Sequence, residues 1–183
     1  MKKTIRILSE LSLIGVGTLA TVACSGNSIG GSPLEPGKPQ EPEPQDEKYY
    51  QDLINENKIN IDDSHQLLID NENEYKNHEI SKNDYQIAKD EINAEIYHFQ
   101  AENNQYQYQI LLLHGHGIIA ITDIAQAIFY LTNKISNLYQ EKTIKVKYPD
   151  DYSQTDIETI NNDLKNSNNL KNQLEASKEK NND

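Results

Sequence analysis

Cys24 is the only cysteine in the chain of 183 residues, so no internal disulfide is open to it. It closes the segment Thr21-Val22-Ala23-Cys24, directly after an apolar run from Leu11 to Ala23. A thiol in that place suits acylation, and Cys24 is the expected lipidation site. A second group, Glu95-Ile96-Tyr97-His98, has the Glu-x-x-His spacing that sets two metal ligands on one helix face. Di-iron chemistry needs a second such motif and further glutamates on facing helices. The stretch Ile118–Tyr139 offers none, so a solvated pair is the expected reading. His114 and His116 flank Gly115 and could share a metal from a turn. His98 would lie about 24 Å from His114 along a helix, and two ligands do not close a zinc site. Asp70–Glu74 is acidic but lacks the glycine and spacing of a calcium loop. No nucleophile elbow or phosphate loop occurs. The chain is therefore expected to be no enzyme, with no catalytic residue, metal or cofactor assigned.

The residues before Cys24 form an export signal in pattern. Lys2, Lys3 and Arg6 precede the apolar run, and small residues end it. The run spans 13 residues, short of the roughly 20 of a membrane-spanning helix. A permanent N-terminal anchor helix is the competing reading. Two or more acyl chains on Cys24 would hold stably to a bilayer where one does not.

Met1-Lys2-Lys3, Leu13-Ile14-Gly15-Val16-Gly17-Thr18 and Thr21-Val22-Ala23-Cys24 together resemble the leaders of mollicute surface lipoproteins, the spiralin-type proteins of spiroplasmas in particular. The resemblance covers the leader and the style of the linker. It departs from the commonest lipobox by having Thr21 where Leu is usual. It implies a diacylated cysteine that anchors the protein on the outer face of the plasma membrane, with Cys24 as the first mature residue.

Charge narrows the partners. Without Lys2, Lys3, Arg6 and Glu10 the chain keeps 14 basic and 28 acidic residues, a net of −14. A nucleic acid partner is excluded, because such binding rests on neutralising phosphates. Anionic headgroups would also repel the chain. The membrane, reached through lipid on Cys24, is the expected partner, and a protein at the cell surface is the open class beyond it.

Five of the six prolines fall at Pro33, Pro36, Pro39, Pro42 and Pro44. The expected organisation is a signal peptide over 1–23, a disordered acylated Pro/Glu-rich tether over 24–46, a helical domain over 47–180 and a disordered tail over 181–183. The tether composition cannot bury a core, and its proline half favours polyproline II at about 3.1 Å per residue.

From residue 45 onward only Pro149, Gly115 and Gly117 interrupt the chain, which argues for a mainly α fold. The clearest helix spans Ser81–Leu113, with Ser81 as N-cap and Asp84 in a capping-box place. Tyr85, Ala88, Ile92, Ile96, Phe99, Tyr106, Ile110 and Leu113 form one stripe, and Asn103 fills its gap. A second helix over Ile118–Tyr139 follows across His114–Gly117, which predicts an antiparallel helical hairpin. Lys48–Asn57 and Ser64–Glu79 read as two shorter helices, and Thr155–Glu179 as the last. A coiled-coil pairing of that last helix would rest on Leu170 and Leu174 in its second half.

Three alternatives stay open in residues 106–148. Tyr106–Leu113 and Ile118–Asp123 could pair as a β-hairpin, Ile144, Val146 and Tyr148 could form an edge strand, and Ile110–Leu131 could enter a membrane. The expected function is a lipid-anchored extracytoplasmic surface protein with a non-catalytic interaction or structural role. The alternative is an accessory metal or small-ligand binder using the His114/His116 turn.

Overall fold

The computed structural model describes residues 46–180. The leader, Cys24, nearly all of the tether and the tail over 181–183 lie outside the described residues.

The described chain is mainly α. Helix α1 runs over Glu47–Lys76, α2 over Lys82–His114, α3 over Ile124–Lys145 and α4 over Gln154–Lys180, with one 3-10 turn at Ile121–Asp123. Each helix packs antiparallel on the next in sequence, so α2 and α3 form the expected hairpin.

The helix starts are capped by their own sequence. Asp46 Oδ1 accepts from the Tyr49 backbone N–H at 2.8 Å. Ser81 Oγ accepts from the Asp84 N–H at 3.2 Å, as its place before α2 predicts. Ser153 and Asp156 form a reciprocal pair at the start of α4, with Ser153 N–H to Asp156 Oδ2 at 2.9 Å and Asp156 N–H to Ser153 Oγ at 3.2 Å. Each such cap contributes about 1 kcal/mol.

The helix ends use histidine in an unusual way. His78 and His116 adopt left-handed backbone, with φ of 62° and 55°. After α2 the Gly117 N–H reaches Leu112 O at 2.7 Å and the His116 N–H reaches Leu113 O at 3.1 Å. This is the double bond pattern that ends a helix on a left-handed residue, a place glycine usually takes. The two glycines act beside it. Gly117 has φ of 94°, and a Cβ on Gly115 would run into the Ile118 carbonyl.

Several expectations fail here for physical reasons. Lys48–Asn57 and Ser64–Glu79 are expected as two helices, but one continuous helix runs over Glu47–Lys76 and Asn77–Glu79 lie in the turn after it. Its inward positions are Ile54, Asn57, Ile61, Ser64, Leu68, Asn71 and Tyr75, alternating three and four apart. Asn57, Ser64 and Asn71 are buried, so polar residues stand where an apolar stripe would have shown the helix to be unbroken. Ile118–Ala120 are not helical, and α3 begins after the 3-10 turn and continues to Lys145. Tyr106–Leu113 is helical, so the β-hairpin is not formed, and Ile144 lies in α3 rather than in an edge strand. Among the described residues no helix is long and apolar enough to cross a membrane. In α4 Leu174 packs inward, whereas Leu170 is 37% exposed.

The core lies among α2, α3 and α4. One cluster joins Ala101, Leu138, Ile160 and Leu164. Another joins Tyr108, Leu111, Ala127 and Leu131, with Leu174 against it. Helix α1 leans on the other face of α2, where Tyr75 stacks on Tyr85 at 4.7 Å and Tyr50 meets Tyr106 at 6.0 Å.

Candidate functional site

The inward line of α3 is Ile124, Ala127, Leu131, Lys134, Leu138, Glu141 and Lys145, again spaced three and four apart. Opposite it on α2 stand Leu112, Tyr108, Gln105, Ala101, His98 and Ala94. The antiparallel register sets charged or amide layers between apolar ones. Lys134 Nζ donates to Gln105 Oε1 at 2.9 Å and lies 3.8 Å from Asp163 Oδ2 of α4. Two helical turns away, His98 faces Glu141.

The Glu141 layer concentrates the chemistry of the domain. Its side chain is 1% exposed, with Lys145 Nζ at 2.7 Å and His98 Nδ1 at 3.3 Å from Oε1. Neither carboxylate oxygen has a partner in hydrogen-bond geometry, so ion pairing alone offsets the burial. Burial alone would raise the Glu141 carboxyl. The His98 and Lys145 contacts outweigh it and hold the group below its ordinary value. The Glu141 carboxylate 3.3 Å away pulls His98 upward, against partial burial, and Glu102 adds to the rise from 3.7 Å. Lys145 also lies over the Tyr152 ring at 5.2 Å, tying the start of α4 to this layer.

The Glu-x-x-His pair is therefore divided. His98 pairs with Glu102 one turn along and with Glu141 across the interface. Glu95 is not among its ion-pair partners. Burial and the neighbouring Glu91 push the Glu95 carboxyl up. Glu141 is the residue the sequence reading missed, since the helix was expected to stop at Tyr139. The seven-residue spacing continuing through Leu138, Glu141 and Lys145 was the signal that could have found it.

A neighbouring layer closes the far end of the hairpin. Asp90 Oδ2 accepts from Tyr148 Oη at 2.8 Å and lies 3.4 Å from Lys147 Nζ. Burial and the Asp90 charge push the Tyr148 hydroxyl up to about 12.

The other sequence candidates are scattered. His114 Nε2 lies 2.9 Å from Glu47 Oε2 of α1. His116 occupies the left-handed turn position beyond it, and His98 lies four turns back along the same helix. No group of three or more His, Cys, Asp or Glu side chains able to hold a metal forms among the described residues. Asp70–Glu74 lies within α1, where Asp70 accepts from Gln66 and Glu72 pairs with Lys76 at 2.7 Å. Cys24 lies outside the described residues.

An open groove of about 360 Å³ runs along α2 and α3, lined by Gln100, Asn103, Asn104, Asn133, Ser136 and Asn137. Every lining side chain is a neutral amide or hydroxyl, so the groove holds no acid, base or strong nucleophile for catalysis. Glu141 and Lys145 have the charge for proton transfer, but they close on each other inside the helix interface. Their arrangement suits positioning α2 against α3. No protein-family model matches the chain, nor does a curated protein or a solved structure.

Proposed function

We propose that this chain is a lipid-anchored extracytoplasmic surface protein whose helical domain has a non-catalytic interaction or structural role. The observation that carries the reading is the sole cysteine, Cys24, placed at the end of a basic-then-apolar leader. The proline-rich stretch after it separates the anchor from the domain. The groove of neutral side chains and the internally paired charges of the domain support a role without chemistry. Acidity fits a protein held by acyl chains rather than by anionic headgroups.

Metabolic labelling with palmitate tests the reading. The native protein incorporates label and the Cys24→Ser variant does not. Label that is absent from the native protein, or that persists in the variant, contradicts it.

A further inference from the structure

The bundle has two unlike poles. Helix α1 begins and α2 ends at one of them, as the Glu47–His114 contact of 2.9 Å and the Tyr50–Tyr106 ring pair establish. The loop from Gly115 to Ala120 and the start of α3 lie there too. Helix α4 ends at the same pole, since Leu174 in its last turns packs against the cluster of Tyr108, Leu111, Ala127 and Leu131. The opposite pole carries the Asn77–Ser81 turn and the Val146–Ser153 connection.

The first pole is capped by apolar side chains that nothing in the domain covers. Ile118 is 71% exposed and Ile121 is 70% exposed. Leu113 in the last turn of α2 is also exposed, and Phe129, exposed too, continues the outer ridge from Ile121 at steps of four through Ala125. His116 is the one titratable side chain between Gly115 and Thr122. Lys178 and Lys180 sit in the last turn of α4 with Glu179 between them, and Asp46 and Glu47 are exposed at the same pole. The opposite pole presents Glu79, Asp150 and Asp151 to solvent together with Lys76, Lys82 and Lys147. The loop is held in shape by the close approach of Gly115 to Ile118 and by the bonds that end α2, so the two isoleucines are presented rather than folded back.

We propose that this pole docks on the lipid bilayer that holds Cys24, with Ile118 and Ile121 entering the boundary between headgroups and acyl chains. The proposal rests on the anchored reading above and adds an orientation and an interaction surface to it. The choice of lipid over a second copy or another protein follows from where the described chain begins. Asp46 lies at the apolar pole, and 22 peptide links separate it from Cys24. That length spans at most about 75 Å when extended. Attachment therefore keeps the apolar pole in constant reach of the bilayer, at an effective concentration on the order of millimolar. Two inserted isoleucines suffice at that concentration, although they would not recruit a free protein. The opposite pole is directed away from the surface, a helix length of about 50 Å further out.

The test couples the chain from Cys24 onward, through its thiol, either to maleimide lipid in phosphatidylcholine vesicles or to soluble maleimide polyethylene glycol. Amide hydrogen exchange is compared between the two states. The expected result is roughly tenfold or greater slowing over 113–123 on vesicles only, with 146–153 unchanged. The Ile118→Asp/Ile121→Asp variant, altered at exposed positions, loses that slowing while its helical circular dichroism stays the same. Equal exchange in the two states overturns the proposal, as does slowing that survives in the variant. Slowing in both states that grows with protein concentration assigns the face to a second copy and also overturns it. Because the coupling is chemical, the outcome is independent of whether cells acylate Cys24, which palmitate labelling decides separately.

Discussion

Glu141 is the residue on which the α2–α3 interface is most exposed to failure. It is a buried carboxylate satisfied by two cations and by no aligned hydrogen bond. Removing one partner of such a pair leaves a charge in a poor solvent. Lys145→Met should lower stability by about 3 kcal/mol in urea unfolding, because His98 alone, half exposed, cannot replace it. The Glu141→Leu/Lys145→Met double variant should be within about 1 kcal/mol of the native chain, or more stable. A double variant as unstable as the single one would mean that shape, not charge, governs this layer. The same pair sets a pH window. His98 is raised from its ordinary 6.5, so its contribution is present below that value and lost as pH climbs through the higher folded value. Glu141 is lowered from 4.5, so its contribution is present above that value and lost as pH falls through the lower folded value. The urea midpoint should therefore fall as pH rises above about 6.5, and His98→Gln should reduce that fall. An unchanged pH dependence in His98→Gln would contradict the assignment.

The helices show where pattern reading succeeds and where it stops. Helix α2 was legible because the stripe it turns toward α1 is apolar and its cap is a Ser81–Asp84 pair. Its second face was not, since Ala94, His98, Ala101 and Gln105 look like an ordinary solvated surface until α3 and α4 cover them. Helix α1 read as two short pieces because every other inward position is Asn or Ser. Tertiary contacts supply what its pattern lacks. Asn57 donates to Glu102 Oε2 at 3.1 Å and Asn71 donates to the Tyr85 carbonyl at 3.1 Å. The end of α3 was misplaced because Glu141 and Lys145 interrupt the apolar run at seam positions. The His114–Gly117 turn was found, yet the left-handed place falls on His116, which composition would have given to a glycine. An element with a polar seam and a single packed neighbour should open first. Native-state hydrogen exchange is expected to give α1 amides over 54–71 a lower opening free energy than α3 amides over 127–141. Equal values would mean that the four helices unfold as one unit.

At the scale of the molecule, alternating layers account for the architecture. Buried polar pairs cost stability against an apolar core of the same shape, and they penalise a shifted register in which a charge would face an alanine or leucine. Lys134–Gln105 and Glu141–His98 occur at matching intervals on both helices, so a slip of one heptad would break the Lys145, His98 and Asp163 contacts around them. That arrangement yields a fixed scaffold with exposed isoleucines at one pole. The proposed surface role rests on Cys24 more than on any residue of the bundle. Intact mass and N-terminal peptide analysis of the protein extracted from its native membrane test it most directly. The expected species begins at Cys24 and carries the added mass of a diacylglyceryl group. A protein that retains Met1, or one that begins elsewhere with Cys24 as a free thiol, would contradict the account.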